Sequence, residues 1–441
     1  MRRRRSGDRA LGPPLTGALS VPGDKSISHR ALLLGALADG VSRIEGLNPG
    51  EDVAATAGAL SALGARVTRS VDNAVVEGYG ISGLSEPSDV VDLGNSGTSM
   101  RTLLGVCAGV PGVTVLTGDD SLRSRPMLRV AVPLRQMGAK VDGREHGDLP
   151  PMVVRGGDLT GIDVSLPVAS AQVKTAILLA GLRAEGSTSV TEPVSSRDHT
   201  ERMLLAAGVP VRRSGTTATV SGGTGPRPLD WEVPGDFSSA LYLIVAALLV
   251  PGSELTLTGI GLNPTRTRAL DVLVRMGADL DLERGTETGG EERGDVTARS
   301  SSLSGTEIVP EEVPGLIDEL PILAIAAACS EGRTVVSGAG ELRVKESDRI
   351  AAVVGGLRTL GCQVEETRDG FAIDGPCAFR GGSVDSLGDH RIAMSFAVAG
   401  LVSSADVRVA RWSCVDTSFP GFLDVLGRAQ GKIRTKERKT S

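Results

Sequence analysis

The sequence predicts an α/β protein with six repeats of a β-α-β-α-β-β unit, divided into two domains of three units each. Three recurring signals predict it: an apolar helix with a polar first turn, the pattern Leu-x-x-x-Gly, and a short strand that opens with glycine. The pattern glycines lie 66 to 84 residues apart, which is too far for a simple solenoid. Each is expected just after the end of a helix, where glycine adopts the left-handed conformation. They are Gly64, Gly138, Gly208, Gly277, Gly361 and Gly427.

The polar first turn of the repeat helix is clearest in residues 21–40. Lys25, Ser26 and Arg30 precede an apolar run over residues 31–38. Free backbone N–H groups and the helix dipole favour an anion at such a helix start, and the two cations strengthen this preference. We therefore expect a phosphate or carboxylate site here; the alternative is a capped core helix with surface cations. Similar helix starts occur near Met100, Val173, Phe237, Leu320 and His390.

The domain boundary is predicted from a repeated tetrapeptide. Val21-Pro22-Gly23-Asp24 recurs as Val233-Pro234-Gly235-Asp236. We expect the chain to cross between domains at both points, which gives one discontinuous domain of residues 1–22 plus 235–441 and a second domain of residues 23–234. Residues 11–21 should form a strand of the discontinuous domain, and residues 284–306 a loop or hairpin extension. The tails 1–10 and 429–441 are expected to be disordered.

Composition excludes several classes of protein. A hydrophobic fraction of 40% with 23% charged residues is typical of a soluble globular protein. The longest apolar run has 11 residues, short of the ~18 that span a membrane. The basic residues 2–5 are not followed by the apolar segment of a secretion signal, so a cytoplasmic protein is expected. Both basic ends are interpreted as solvated tails, and no nucleic-acid partner is expected.

Cysteine and histidine spacing argues against a disulfide framework or a metal site. The five cysteines form no CxxC pair, and the four histidines lack metal-ligand spacing. We expect reduced thiols, no metal and no cofactor.

Polar residues cluster at the helix starts of the later units. Glycines in the loop of Asn95 and Gly97 allow close approach of a ligand, and Arg125 precedes a proline at a helix start. The other helix-start residues are Ser170, Ala171, Gln172, Arg197, Asp318, Lys345, Glu346, Arg349 and Arg391. If the repeats fold alike, these ends converge on one cleft that suits a substrate with several negative charges. Asp318 and Glu346 are the carboxylates available there for acid-base chemistry, although Asp318 could instead cap a helix.

Seven segments in order along the chain resemble the EPSP synthase (3-phosphoshikimate 1-carboxyvinyltransferase) family, over about residues 11–427. They read PGDKSISHRA from residue 22, GNSGTSMR from 94, SAQVKTA from 170, SRDHTER from 196, IDELP from 317, VKESDR from 344 and DHRIAM from 389. The resemblance implies a two-domain inside-out α/β barrel with helix N-termini directed at an interdomain active site. It also implies transfer of the enolpyruvyl group of phosphoenolpyruvate to the 5-hydroxyl of shikimate 3-phosphate, in a monomer without metal.

The resemblance also implies site residues. Shikimate 3-phosphate would be held by Lys25, Ser26, Arg30, Ser170, Ala171, Gln172, Arg197, Asp318 and Lys345. Phosphoenolpyruvate would be held by Lys25, Gly97, Arg125, Gln172, Glu346, Arg349 and Arg391, with Asn95 in the same loop as Gly97. Asp318 would take the 5-hydroxyl proton, and Glu346 or Lys25 would protonate the methylene carbon. Glyphosate in this family occupies the phosphoenolpyruvate pocket.

Two departures from the family pattern and two other functions stay open. Some relatives carry Asn at the position of Glu341, and some carry Lys at that of Thr417, so one phosphoenolpyruvate contact would come from Lys432 or be absent. One alternative function is enolpyruvyl transfer to UDP-N-acetylglucosamine, although residues 116–125 lack the cysteine usual in that enzyme. The other is a non-catalytic anion-binding or RNA-end-processing protein, against which Asp318 and Glu346 argue.

Overall fold

A computed structural model describes residues 12–431 of the chain. Its helices are α1 (Lys25–Leu37), α2 (Glu51–Ala62), α3 (Gly97–Ala108), α4 (Leu128–Gln136), α5 (Arg144–Gly147), α6 (Ala171–Gly181), α7 (His199–Ala206), α8 (Phe237–Leu249), α9 (Arg268–Arg275), α10 (Leu320–Cys329), α11 (Arg349–Thr359), α12 (His390–Leu401) and α13 (Phe422–Ala429). Its strands are β1 (Thr16–Leu19), β2 (Asp39–Glu45), β3 (Arg66–Arg69), β4 (Asn73–Tyr79), β5 (Val91–Asp92), β6 (Gly112–Thr117), β7 (Lys140–Gly143), β8 (Leu149–Gly156), β9 (Leu159–Thr160), β10 (Asp163–Ser165), β11 (Ala184–Glu185), β12 (Ser187–Thr191), β13 (Val211–Ser214), β14 (Thr217–Ser221), β15 (Trp231–Glu232), β16 (Glu254–Gly261), β17 (Asp279–Thr288), β18 (Glu291–Arg299), β19 (Glu307–Ile308), β20 (Gly332–Val336), β21 (Gln363–Thr367), β22 (Gly370–Gly375), β23 (Gly382–Asp385) and β24 (Val407–Ala410).

One sheet topology recurs through the described part of the chain. Five four-stranded sheets have the orders β15-β2-β4-β3, β5-β6-β8-β7, β10-β12-β14-β13, β1-β16-β18-β17 and β19-β20-β22-β21. In each, the first two strands are parallel and the other neighbours are antiparallel. The sixth copy keeps only the parallel pair β23-β24. The predicted α/β repeat fold is confirmed, with the last unit shortened.

The two chain crossings lie against each other. Asp24 N–H donates to the Pro234 carbonyl at 2.7 Å, and Asp236 N–H donates to the Pro22 carbonyl at 2.8 Å. Strand β15, from the end of the third unit, completes the sheet of the first unit, and β1 completes the sheet of the fourth. The sheet of the first unit is therefore completed by a strand from the end of residues 23–234, and the sheet of the fourth unit by a strand from residues 1–22.

The buried apolar side chains form two separate clusters. One runs from Ile27 to Val233, and the other contains Leu15, Val21 and the residues from Phe237 to Ala429. Helix α8 is buried on every side over residues 237–248, where it packs against α10, α12, β16 and β18. Burial on every side explains why the repeat helices are apolar all round behind their polar first turns. No helix among residues 12–431 has the length and apolar character needed to cross a bilayer.

Five of the six pattern glycines end a helix as predicted. Gly64 has φ 101°, its N–H donates to Ser61, and Ala65 N–H donates to Leu60, which is the Schellman arrangement. The same two hydrogen bonds recur at Gly138, Gly208, Gly277 and Gly361. The prediction for Gly427 is wrong, because this residue lies inside α13.

Other boundaries differ from the sequence predictions. The first strand covers only Thr16–Leu19, and β17 with β18 forms the predicted hairpin extension, which starts earlier, at Asp279. Disorder from residue 429 is wrong at its start, because Ala429 is buried in α13. The predictions for residues 1–10, for Lys432 and for the rest of the C-terminal tail lie outside the described residues.

Candidate active site

A cleft between the two halves collects polar side chains from both. Most of the predicted residues line it: Lys25, Ser26, Gly97, Arg125, Ser170, Gln172, Arg197, Asp318, Lys345, Glu346 and Arg391. The sequence reasoning assigned no role to several other lining residues: Asp52, Thr98, Arg101, Pro126, Arg129, Val173, Val344 and His390. Glu341, one of the departures from the family pattern, also lies here.

The residues converge because the repeat helices point their N-termini at the cleft. Side-chain caps fix these first turns: Asp24 accepts from Ile27 N–H, Ser96 from Ser99 N–H, and Asp389 from Arg391 N–H. Ser170 caps α6 in the same way. The helix starts therefore add free N–H groups and dipole charge to the side-chain cations.

Asp318 lies at the centre of the cationic groups. Its carboxylate accepts a hydrogen bond from Arg197 at 2.6 Å and another from Arg349 at 3.0 Å, and Arg391 lies 3.6 Å away. Burial alone would raise the pKa of Asp318, but Arg391, Arg197, Lys345 and Arg349 together hold this pKa well below 3.8. Asp318 is therefore ionised at neutral pH.

Asp318 does not cap a helix. Helix α10 begins at Leu320, and the residue at its N-cap position is Glu319, whose side chain makes no capping bond. Glu319 is instead buried, accepts a hydrogen bond from Ser238 at 2.5 Å and lies 3.7 Å from Arg266. The capping alternative for Asp318 is therefore wrong.

Glu346 is the second carboxylate of the cleft. Arg349 donates to it at 2.5 Å, and Arg125 lies 3.7 Å away in the other half. Burial opposes ionisation, but Arg349, Arg125 and their neighbours hold the pKa of Glu346 well below 4.5. The pKa of His390 is held well below 6.5 by burial and by Lys25 and Arg391. At neutral pH Glu346 is charged and His390 is neutral.

Lys25 reaches the cleft from the first turn of α1. Its ammonium donates to Asp52 at 3.0 Å, and its backbone N–H donates to Asp236 at 3.0 Å. The first bond fixes the side chain, and the second ties its helix start to the other half of the molecule. Lys25 thus lines the same cleft as Asp318 and Glu346, with its side chain fixed by Asp52.

Four predicted binding residues do not line the cleft itself. Arg30 is buried and donates to Thr200, Thr175 and the Ser26 carbonyl at 2.7, 2.7 and 2.9 Å. Arg349 is also buried, and its 2.7 Å bond to Asp389 adds to its bonds with Asp318 and Glu346.

The remaining two lie beside the cleft, Asn95 in the loop before α3 and Ala171 as the first residue of α6. Asn95 accepts hydrogen bonds from Arg125 through its backbone carbonyl at 3.1 Å and its side-chain oxygen at 2.5 Å. Ala171 lines an adjoining cavity together with Ser170 and Gln172. In the structure, Arg30, Arg349 and Asn95 hold cleft-lining residues in place. This supporting role could not be predicted from the sequence, because it depends on three-dimensional contacts.

Three ion pairs connect the halves across the cleft. Arg197 pairs with Asp318, Arg125 lies 3.7 Å from Glu346, and Arg129 makes two bonds with Glu341, at 2.8 and 3.0 Å. Because each pair spans more than 120 positions of sequence, no local pattern points to it. The pairs join the two walls of the cleft.

A chain of polar contacts also links the second and third units. Arg101 donates to the side-chain oxygen Oε1 of Gln172 at 2.8 Å, and the side-chain Nε2 of Gln172 donates to the Thr98 hydroxyl at 2.9 Å. Thr98 and Arg101 both lie near the start of α3, and this position is the sequence feature that could have identified them as cleft residues. The chain fixes Gln172 at the cleft wall.

Thr417 lies behind the cleft. Its hydroxyl donates to the Cys414 carbonyl at 2.7 Å and lies 3.5 Å from His390. It supplies no cation at this position. Among the residues from 12 to 431, no group of three His, Cys, Asp or Glu side chains could hold a metal ion.

Fold and site together define a two-domain α/β enzyme whose cleft collects cations and two carboxylates at helix starts. The family model for EPSP synthase (3-phosphoshikimate 1-carboxyvinyltransferase) matches residues 11–426. The chain belongs to the EPSP synthase family.

Individual relatives agree with this assignment. The chain is 53% identical over 418 residues to the 3-phosphoshikimate 1-carboxyvinyltransferase of Gloeobacter violaceus. The matched region covers 94% of this chain and 97% of the relative. The corresponding enzyme of Halorhodospira halophila is 53% identical over 420 residues, 95% of each chain. The solved structure of EPSP synthase from Acinetobacter baumannii has a TM-score of 0.85 at 44% identity, covering 95% of this chain and 97% of that one.

A more distant structure has the same fold. The enolpyruvyl transferase NikO from Streptomyces tendae has a TM-score of 0.75 at 20% identity and covers 95% of this chain and 96% of its own. This likeness shows the fold alone.

Proposed function

We propose that the cleft transfers the enolpyruvyl group of phosphoenolpyruvate to the 5-hydroxyl of shikimate 3-phosphate, giving 5-enolpyruvylshikimate 3-phosphate and phosphate. The observation that carries the proposal is an ionised Asp318 surrounded by cations from both halves. Such a site can neutralise two anionic substrates and still offer a base. Family membership supports the choice of these two substrates.

We assign the first-half residues Lys25, Ser26, Ser170, Gln172 and Arg197 mainly to shikimate 3-phosphate. Arg197 and Lys25 supply charge for its phosphate, and the helix starts of α1 and α6 add N–H donors. We assign four other cleft-lining residues mainly to phosphoenolpyruvate: Gly97, Arg125, Glu346 and Arg391. Closure of the halves around both substrates places the 5-hydroxyl against the enol carbon.

The proposed reaction is addition followed by elimination. Asp318 accepts the 5-hydroxyl proton while the hydroxyl oxygen bonds to C2 of phosphoenolpyruvate. A proton delivered to the methylene carbon converts it to a methyl group and gives a tetrahedral intermediate that still carries phosphate. Loss of a methyl proton and of the phosphate then forms the enol ether, while the surrounding cations stabilise the leaving phosphate.

Lys25 is the better supported of the two candidates for the methylene proton. Glu346 is ionised at neutral pH because Arg349 and Arg125 depress its pKa, so it has no proton to give. The side-chain Nζ of Lys25 is a hydrogen-bond donor that its 3.0 Å bond to Asp52 holds at the cleft. Ionised Glu346 is suited to accept the methyl proton during elimination.

Phosphate release with two acceptors tests the proposal. The enzyme is incubated with phosphoenolpyruvate and either shikimate 3-phosphate or UDP-N-acetylglucosamine, with Asp318→Asn as the matched control. We expect phosphate release when shikimate 3-phosphate is the acceptor and none with UDP-N-acetylglucosamine. In Asp318→Asn, phosphate release with shikimate 3-phosphate should be lost. Phosphate release only with UDP-N-acetylglucosamine would show that this compound, and not shikimate 3-phosphate, is the acceptor. Phosphate release with neither acceptor would favour a non-catalytic anion-binding protein.

We further propose the two domains predicted from the tetrapeptide, residues 1–22 plus 235–441 and residues 23–234. The two apolar clusters support this division. A cytoplasmic monomer that uses these two small molecules, without nucleic acid or membrane partner, completes the proposal. Sedimentation of the purified chain tests the monomer.

A further inference from the structure

The hairpin of β17 and β18 extends from one half of the molecule to the other. Both strands belong to the sheet of the fourth unit, in the second half, and Gly289 and Gly290 form the turn between them. We call residues 288–293 the hairpin tip. The reaction proposed above gives this segment no role, although the sequence marks it as an extension of the repeat.

The hairpin tip is fastened to β15, the last strand of the first half. Arg293 forms an ion pair with Glu232, and the Thr288 hydroxyl donates to the backbone carbonyl of Glu232 at 3.3 Å. Both contacts join residues of different halves. The tip therefore bridges the halves beside the point where the chain crosses between them.

The turn of the hairpin fits this place because it consists of glycine. Gly289 and Gly290 have φ 59° and 83°, in the left-handed region. A methyl group added to Gly289 would lie 2.9 Å from the ring of Trp231, and one added to Gly290 would lie 2.7 Å from the carbonyl oxygen of Arg202. The backbone of the tip thus packs directly on β15 and α7.

Glu291 carries the contact into the interior. Its side chain is buried, one carboxyl oxygen lies 2.7 Å from Nδ1 of His199, and the other accepts from Nδ2 of Asn263 at 3.0 Å. His199 is the first residue of α7 in the first half, and Asn263 follows β16 in the second half. Glu291 therefore joins the start of α7 to the loop after β16.

The same network holds Asp198, the residue before α7. Nδ2 of Asn263 also donates to the Asp198 carboxylate at 2.9 Å, so both hydrogens of this amide are used. The backbone N–H of Asp198 donates to the Thr265 hydroxyl at 3.4 Å, and that hydroxyl donates to the side-chain oxygen of Asn263 at 2.7 Å. Two consecutive residues of the first half, Asp198 and His199, are thus anchored to the second half.

Arg197 directly precedes this anchor. Consecutive Cα atoms are about 3.8 Å apart, so the backbone of Arg197 follows that of Asp198. Its guanidinium donates to Asp318 at 2.6 Å, and the proposed function assigns it to the phosphate of shikimate 3-phosphate as well. When the phosphate takes the guanidinium from Asp318, the anchor at Asp198 and His199 still fixes the backbone from which Arg197 reaches the cleft.

We propose that Glu291 is a positioning residue for substrate binding, which holds the start of α7 so that Arg197 is presented to the phosphate of shikimate 3-phosphate. This inference rests on the proposed function and adds an element of the second half to a binding site of the first. Glu291 takes no part in the chemical steps. Its loss should therefore weaken substrate binding and raise KM, while kcat stays close to that of the unmodified enzyme.

Glu291→Gln tests the proposal. An amide has one acceptor oxygen in place of two, so the bonds to His199 and Asn263 cannot both survive. Affinity for shikimate 3-phosphate, measured by isothermal titration, should weaken roughly 2- to 30-fold, as for a residue that acts on a site without touching its ligand. The matched control is Glu292→Gln, since Glu292 pairs with Arg284 inside the hairpin at 2.6 Å. Equal affinity of both variants and the unmodified enzyme would overturn the proposal.

An Arg197→Gln background separates positioning from a general loss of structure. If Glu291 acts through Arg197, Glu291→Gln should change the affinity little once Arg197 is gone. An equal loss of affinity in both backgrounds would show that Glu291 does not act through Arg197. If the unmodified enzyme bound no shikimate 3-phosphate, the proposed function would be wrong, and the docking of the hairpin tip would still be measured as follows.

Trp231 reports the docking of the tip without any substrate. It is buried and is one of two tryptophans, so Trp412→Phe leaves it as the only source of tryptophan fluorescence. In that background Gly290→Ala should displace the tip, shift the Trp231 emission to longer wavelength and weaken binding of shikimate 3-phosphate. Gly215→Ala is the control, because Gly215 is a left-handed turn glycine with no atom within 4 Å of an added methyl. Unchanged emission in Gly290→Ala would overturn the docking on which the proposal depends.

Discussion

Replacing Asp318 by Asn removes one charge from the centre of the cleft while keeping the side chain's shape. The amide oxygen can still accept from Arg197, which donates at 2.6 Å to the native carboxylate. Arg349 keeps its carboxylate partners Asp389 and Glu346, at 2.7 and 2.5 Å. Arg391 loses the ion pair with the carboxylate 3.6 Å away but keeps its 3.2 Å bond to the backbone carbonyl of residue 318. The variant should therefore fold.

The size of the effect follows from the role of the carboxylate. Loss of a general base lowers the rate by about two to four orders of magnitude. At about 1.36 kcal/mol per tenfold change, this raises the barrier by roughly 3 to 5 kcal/mol. Affinity for shikimate 3-phosphate should not weaken, since removing a negative charge between Arg197 and Arg391 does not repel a phosphate.

Steady-state turnover and isothermal titration with shikimate 3-phosphate measure the two effects separately. Glu311→Gln is the matched control, because Glu311 is an exposed carboxylate on the segment that leads to α10. The adjacent Glu319→Gln is unsuitable, since Glu319 is buried against Ser238 and Arg266. Near-normal turnover of Asp318→Asn would refute its role as the base and transfer that role to Glu346 or Lys25.

Three further outcomes are expected. Glyphosate should compete with phosphoenolpyruvate in the unmodified enzyme, and Gly97→Ala should weaken this inhibition. The new methyl would lie 3.0 Å from a guanidinium nitrogen of Arg125 and 3.1 Å from one of Arg101. Equal inhibition constants for the two enzymes would contradict this prediction. Shikimate 3-phosphate should compact the molecule in small-angle scattering, since anions relieve the repulsion of the cleft cations, and unchanged profiles would contradict closure. Burial and nearby cations hold the pKa of His29 well below 6.5, so the unfolded chain binds more protons and stability should fall as pH drops below 6.5, by up to about 1.4 kcal/mol per pH unit from this residue. Denaturant titrations at pH 5.0, 6.5 and 7.5 should show a shallower decline for His29→Gln, and an identical slope would argue against this origin.

Sequence reasoning succeeded where one residue type meets a local backbone requirement. Gly64 and its four counterparts end helices in the left-handed conformation, which other residues adopt at a cost, so the repeat period was visible without a structure. The helix starts were equally visible, because their caps and cations are adjacent in sequence. The same reasoning failed at Gly427, because the pattern Leu-x-x-x-Gly does not distinguish a glycine inside a helix from one that ends a helix.

Contacts between distant segments were not predictable in this way. Arg129 and Glu341 are 212 positions apart, and their pairing depends on how the two halves meet. Arg30 resembles an exposed helix-start cation in sequence, but hydroxyls of Thr200 and Thr175 from the third unit surround it. Local patterns thus identified part of the cleft lining but missed residues such as Asp52 and Arg129. The division between lining and supporting residues required the packed structure.

Arg197 connects substrate binding with the proton-accepting role of Asp318. In the structure its guanidinium contacts Asp318 at 2.6 Å, whereas the proposed function also assigns it to the substrate phosphate. The two anions therefore compete for one cation, and Asp318→Asn should tighten shikimate 3-phosphate binding by roughly 5- to 150-fold, the usual range for coupled sites. In an Arg197→Gln background, the same change should have little effect, because the shared cation is gone. Titration of the four proteins gives the coupling, and an equal change in both backgrounds would show that Arg197 does not mediate it.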